Sequence, residues 1–155
     1  SNVTKVIFNS TTKTGEIHDN STSVISGDTT ISIVDNIAYV DFEGTLLFNR
    51  NSEKLFQSYK YIETIEGFEN VNTLNVTAFN YTFSGMTALK SVDISSFNTI
   101  NATTFQSMFS GCSKLTTIYV SDKFNIDGAG TTTDMFKDCT LLKEYNSNKV
   151  DIENK

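Results

Sequence analysis

Four phenylalanines, Phe56, Phe83, Phe109 and Phe136, stand 27, 26 and 27 residues apart, and the residues that follow each of them repeat in type. Three positions on come Tyr59, Met86, Cys112 and Cys139; six on, Ile62, Leu89, Leu115 and Leu142; nine on, Ile65, Val92, Ile118 and Tyr145. The agreement is fullest between residues 77–94, TAFNYTFSGMTALKSVDI, and 103–120, TTFQSMFSGCSKLTTIYV. A unit this short cannot bury its own apolar side, so each copy is expected to be covered by the next. A fully buried Phe, Leu or Ile contributes roughly 1.5–3 kcal/mol, and here that contribution is available only through stacking. The fourth copy is degraded, with Ser147 where the third has Val120, as suits a terminal unit.

The pattern inside one unit predicts how it folds. Phe105, Met108, Phe109 and Cys112 are spaced as one face of a helix-like turn. Gly111 (Gly85 in the copy before) marks a turn, and Leu115, Ile118 and Val120 follow the L-x-x-L-x-L spacing of a leucine-rich-repeat strand. The expected fold is therefore an α/β repeat solenoid, a short leucine-rich-repeat stack of parallel strands and short helices. Three to four repeats would occupy residues 50–155, with strands about 4.8 Å apart.

Residues 1–49 lack the repeat. VIF at 6–8, STSVIS at 21–26, TTISIV at 29–34, NIAYVDF at 36–42 and TLLF at 45–48 read as strands. GD at 27–28 and EGT at 43–45 read as turns, and TTKTGEIHDN at 11–20 as an exposed loop. Two roles stand open for this segment: a β-rich N-terminal cap sealing the first repeat, or a small β module with a task of its own.

Composition removes several functions. The formal net charge is -6 with a single arginine, Arg50, and no basic cluster, so nucleic acid is not an expected partner. An anionic membrane surface would repel the chain, and no apolar run approaches the ~20 residues of a membrane helix, so no membrane insertion by this segment is expected. The start, SNVTKVIFNS, has neither the basic lead nor the apolar run of a signal peptide, so the sequence reads as a mature or trimmed piece or a cytosolic protein. Pro is absent, and Asn and Gly must do the turn work it would share.

No catalytic set, cofactor site or metal site is expected. His18 is the sole histidine, with only Glu16 and Asp19 for company in a polar loop. Cys112 and Cys139 hold equivalent positions in adjacent repeats but lack a nearby base for nucleophilic chemistry and two further ligands for zinc. Stacking could bring them within disulfide reach; the plainer reading is a pair of buried free thiols filling the core. KFNIDGAGTTTD at 123–134 invites a calcium-loop reading, but Lys123 stands at the first ligand position and Asp134 at the last, which favours a turn. Six N-x-S/T sequons, at Asn2, Asn9, Asn20, Asn75, Asn80 and Asn101, are accounted for by the repeat template and an Asn- and Thr-rich chain.

The strand faces remain. Because side chains alternate along a strand, the residues between the buried ones point outward: Thr64, Ser91, Thr117 and Glu144 in one row, Glu66, Asp93, Tyr119 and Asn146 in the other. Solvated strand surface is the plainer reading of this shallow, polar, mildly acidic face. These eight residues are nonetheless the candidate ligand-binding set, with Tyr119 the type of residue that anchors interfaces.

The stretch FSGMTALKSVDISSFNTINATTFQSMFSGCSKLTTI, residues 83–118, resembles the BspA-like leucine-rich-repeat surface proteins of the mycoplasma lipoprotein type, whose units of about 26 residues carry phrases such as MF-x-x-C-x-x-L. The resemblance covers about residues 50–145. It departs at Tyr59, which stands in the Cys column, and at residues 124–133, which lengthen a tight turn of the family. It implies a secreted or surface-attached microbial protein. The function expected on these grounds is a non-catalytic recognition or adhesion module, monomeric and extracellular or on the cell surface, binding a protein or glycan ligand of a host through its exposed strand face. The alternative is a structural spacer with no ligand of its own; a hidden hydrolase comes third.

Overall fold

The computed structural model describes residues 2–10, 21–26, 29–142 and 153–154. In chain order the strands are β1 (Lys5–Ser10), β2 (Ser21–Ser26), β3 (Thr29–Val34), β4 (Ile37–Phe42), β5 (Leu46–Leu47), β6 (Thr64–Glu66), β7 (Val71–Asn72), β8 (Ser91–Asp93), β9 (Thr117–Val120) and β10 (Glu153–Asn154). Among the described residues the only helical element is one 3-10 turn, Phe68–Asn70.

The repeated units lie on one another as four coils, centred on Phe56, Phe83, Phe109 and Phe136. The anchor rings stack nearly parallel, with centroids 5.4 Å apart between Phe56 and Phe83, 5.1 Å between Phe83 and Phe109, and 5.7 Å between Phe109 and Phe136. Met86, Cys112 and Cys139 form a second buried column, and Ile62, Leu89, Leu115 and Leu142 a third. A further aromatic row, absent from the four-column pattern, runs beside them: Phe68 meets Phe97 at 5.0 Å, and Phe79 meets both Phe97 and Phe105 at 5.7 Å. Tyr59 does not join the column that its spacing assigns to it. Tyr59 is 54 % exposed, because no turn segment among the described residues lies beneath coil 1 and a phenol hydroxyl favours water.

The segment before each strand, expected as a short helix, is a run of hydrogen-bonded turns. In coil 3 the N–H groups of Met108, Cys112 and Leu115 donate to the carbonyls three residues earlier, Phe105, Phe109 and Cys112. The cause is backbone chirality. Two residues per coil are left-handed: Lys54, Tyr81, Ser107 and Asp134 just before the anchor, and Ser58, Gly85, Gly111 and Asp138 just after it. An α-helix cannot carry a left-handed residue every fourth position.

What the helix would have satisfied internally is satisfied between coils instead. The N–H groups of Phe105, Ser107, Phe109 and Gly111 donate to the carbonyls of Thr131, Thr133, Met135 and Lys137 at 2.7–2.9 Å. Phe79, Tyr81, Phe83 and Gly85 donate in the same way to Thr104, Gln106, Met108 and Ser110, and Ser52, Lys54, Phe56 and Ser58 to Ala78, Asn80, Thr82 and Ser84. Along this turn segment each coil gives N–H groups forward and offers carbonyls backward.

The far corner uses side chains. Asn72, Asn98 and Asn125 each accept, through the side-chain oxygen, the N–H two residues on. Buried Thr73 and Thr99 tie each corner to the next: Thr99 accepts the Asn125 N–H at 2.7 Å and donates to the Asn125 carbonyl at 2.8 Å. This is where the Asn and Thr of the composition are used.

Val6, Phe8, Val40, Phe42 and Phe48, from before the repeats, share the core of the coils. β1 pairs in parallel with β6, Val6 opposite Ile65, and on its other edge with β4, Val6 opposite Ala38. β3 joins β4 antiparallel through Asp35 and Asn36, both left-handed (φ 48° and 67°), the twist a tight hairpin needs. β2 pairs antiparallel with β3, and the turn expected at 27–28 lies outside the described residues. The ring of Phe8 stacks on Phe68 at 5.2 Å and meets Phe48 and Phe56 edge-on. β1 thus takes the place that the strand of a coil before coil 1 would take. Close approach there demands Gly67, whose φ is 85° and whose hypothetical Cβ would lie 2.1 Å from the Phe8 carbonyl oxygen.

Candidate functional site

Register decides which side chains share the outer face of the strands. Ser91 lies opposite Thr117 and Asp93 opposite Tyr119 in the β8–β9 pair. Lys5 lies opposite Thr64 and Ile7 opposite Glu66 in β1–β6, and Tyr39 lies opposite Ile7 in β1–β4. β6 and β8 run side by side, linked by the Lys90 N–H to the Glu63 carbonyl at 3.2 Å and by the Lys90–Glu63 ion pair across the coils. The hydrogen bond from Lys90, reinforced by its charge, holds the Glu63 carboxyl below its ordinary value.

Two rows result. One runs Tyr39, Ile7, Glu66, Asp93, Tyr119; the other runs Ile37, Lys5, Thr64, Ser91, Thr117. Six of the eight candidate residues are therefore brought onto one face. The other two, Glu144 and Asn146, lie outside the described residues, and the strand that continues the ladder is β10, with Glu153 opposite Tyr119. Glu66 and Asp93 line one small cavity of about 280 Å³ together with Glu69 and the chain at 65–68. Lys5 reaches Glu66 at 2.7 Å from the neighbouring strand, so the carboxylates are partly balanced. Asp93 also accepts the Ser95 N–H at 3.0 Å, which fixes its side chain at the end of β8.

Sequence reasoning missed Lys5, Ile7, Tyr39 and Glu69. The alternation in KVIFN and IAYVD carried the signal for the first three, but using it required knowing that β1 pairs with β6. Tyr39 and Tyr119 lie on either side of the acidic pair, Tyr39 beyond Ile7 and Tyr119 directly beside Asp93.

The other candidates fall elsewhere. His18 lies outside the described residues. Cys112 and Cys139 are buried free thiols, each donating to the carbonyl of the preceding coil's anchor, Phe83 at 3.1 Å and Phe109 at 3.0 Å. The neighbouring Cys139 thiol, and then burial, push the Cys112 thiol well above its ordinary value. In the supposed calcium loop the Asn125 side-chain oxygen is taken by the Asp127 N–H at 2.7 Å. Among the described residues no three His, Cys, Asp or Glu side chains converge as a metal site, and no helix is long and apolar enough to cross a membrane.

No curated protein and no solved structure matches the chain. One family model does, over residues 34–154, from the end of β3 to β10, a span wider than the repeats alone. The chain belongs to the family described as "Mycoplasma protein of unknown function, DUF285".

Proposed function

We propose that the chain is a short leucine-rich-repeat solenoid of the BspA-like type with a β-rich N-terminal cap, and that it acts as a non-catalytic recognition or adhesion module outside the cell. The ligand is a protein or a glycan, held by the outer face of β1, β4, β6, β8 and β9. The observation that carries this reading is the row Tyr39, Ile7, Glu66 of one sheet beside Asp93, Tyr119 of the next, in which Glu66 and Asp93 line one cavity between the two aromatics. Aromatics of this kind supply contact area at low entropic cost, and carboxylates accept the hydroxyls of a sugar or pair with a basic side chain. The burial of both cysteines supports a role without nucleophilic chemistry.

The test is a solid-phase binding screen of the purified chain against extracellular matrix proteins and a glycan array. The expected result is saturable binding that the double variant Asp93→Asn/Tyr119→Ala abolishes while its melting temperature stays within about 2 °C of the parent. A chain that binds nothing on either panel is a spacer, and the recognition reading is then wrong.

A further inference from the structure

The hydrogen bonding between turn segments leaves the coil 1 end without donors among the described residues. In coils 2, 3 and 4 the carbonyls that face the preceding coil accept its N–H groups. The equivalent carbonyls of coil 1 belong to Asn51, Glu53, Leu55 and Gln57, and none of them has a donor among the described residues. They form a row at the ladder's own spacing, on the side of coil 1 away from coil 2. Directly against that row lies an apolar cavity of about 600 Å³. Val6, Phe8 and Val40 line one side of it, and Leu55, Phe56 and Tyr59 another. That is about four times the ~150 Å³ engineered cavity that holds a benzene.

The two features have one cause. β1 supplies the strand of a coil before coil 1, but no described residue supplies the turn segment of that coil. Leu55, Tyr59 and Tyr61 are left 41–54 % exposed around the opening. A row of backbone acceptors without donors among the described residues, beside apolar pockets, is the arrangement that strand-addition sites use to capture a peptide.

We propose that this end is a peptide-docking site. Its occupant is a polypeptide segment of a partner with the spacing Phe-x-x-apolar-x-x-Leu. The segment adopts the turn conformation of one more coil, donates alternate N–H groups to Asn51, Glu53, Leu55 and Gln57, and places its apolar side chains in the cavity. The chain's own ladder shows the chemistry required: in coil 2 the donors are the N–H groups of Phe79, Tyr81, Phe83 and Gly85.

The experiment titrates a fluorescent synthetic peptide of residues 77–89, TAFNYTFSGMTAL, into the whole chain. Saturable one-to-one binding is expected. N-methylation of the peptide at the positions of Tyr81 and Phe83 removes two of the donors and is expected to weaken binding about tenfold or more. N-methylation at the position of Asn80, which gives no such bond, is expected to leave it within about threefold. Leu55→Lys, at an exposed position, should weaken binding with the circular dichroism spectrum unchanged. A scrambled peptide that binds equally well would show a merely greasy surface and overturn the proposal, as would N-methylated peptides that bind like the parent. Absence of peptide binding overturns it too, and if that comes with self-association lost in Leu55→Lys, the surface belongs to a second copy instead.

Discussion

Gly67 is the residue on which the junction between β1 and coil 1 turns. Coils 2 and 3 carry Ile94 and Val120 at its position, both buried. Coil 1 cannot, because the Phe8 backbone occupies the space and φ is 85°. Gly67→Ala is therefore expected to destabilise the chain by more than about 3 kcal/mol in denaturant titration. Gly128→Ala, where nothing lies within 4 Å, should stay within about 0.5 kcal/mol. The buried thiols give a second expectation at this scale. Because both thiols are buried, iodoacetamide should label the native chain only as fast as it opens, and both cysteines rapidly in denaturant. Glu63 gives a third. Its carboxyl titrates below the ordinary glutamate value because Lys90 favours the charged form, so the coupling is present at neutral pH and is lost as pH falls through that lowered value. An NMR titration should show Lys90→Ala restoring Glu63 to the ordinary value, and no change on that substitution would deny the bridge between coils 1 and 2.

At the scale of elements, the corner threonines bind one coil to the next. Thr99 is buried and both accepts from and donates to Asn125. Replacing it by Val keeps the shape and strands two polar groups, at an expected cost of about 1–3 kcal/mol, whereas exposed Thr103→Val should be near neutral. The strands and the anchor columns were legible in the sequence because burial leaves a period, and Phe83, Leu89 and Val92 kept theirs. The turn segments were not. Phe105, Met108, Phe109 and Cys112 satisfy a helical spacing equally well, and what forbids the helix is the left-handed backbone at Ser107, a residue type that carries no such signal. The aromatic row of Phe68, Phe97 and Phe105 escaped for a related reason: its members come from different points of the unit. For the outer face, six positions followed from alternation within each repeat, but Lys5, Ile7 and Tyr39 depended on strand pairing between distant segments.

Across the whole molecule, a single buried cluster runs from Val6 in β1 to Leu142 in coil 4, with no break between the first fifty residues and the repeats. Each described coil contacts its neighbours and gives hydrogen bonds to them, and the two proposed surfaces are the outer strand face and the coil 1 end. Both functional readings rest on that arrangement, since a face is continuous only if the coils keep register. The direct measurement is the pattern of nuclear Overhauser contacts among the aromatic rings of a chain labelled at phenylalanine. Stacked coils predict cross-peaks from Phe56 to Phe83, Phe83 to Phe109 and Phe109 to Phe136, with none from Phe56 to Phe109. Missing cross-peaks between Phe83 and Phe109, with each ring in contact instead with residues of its own repeat alone, would contradict the stack and both binding surfaces built on it.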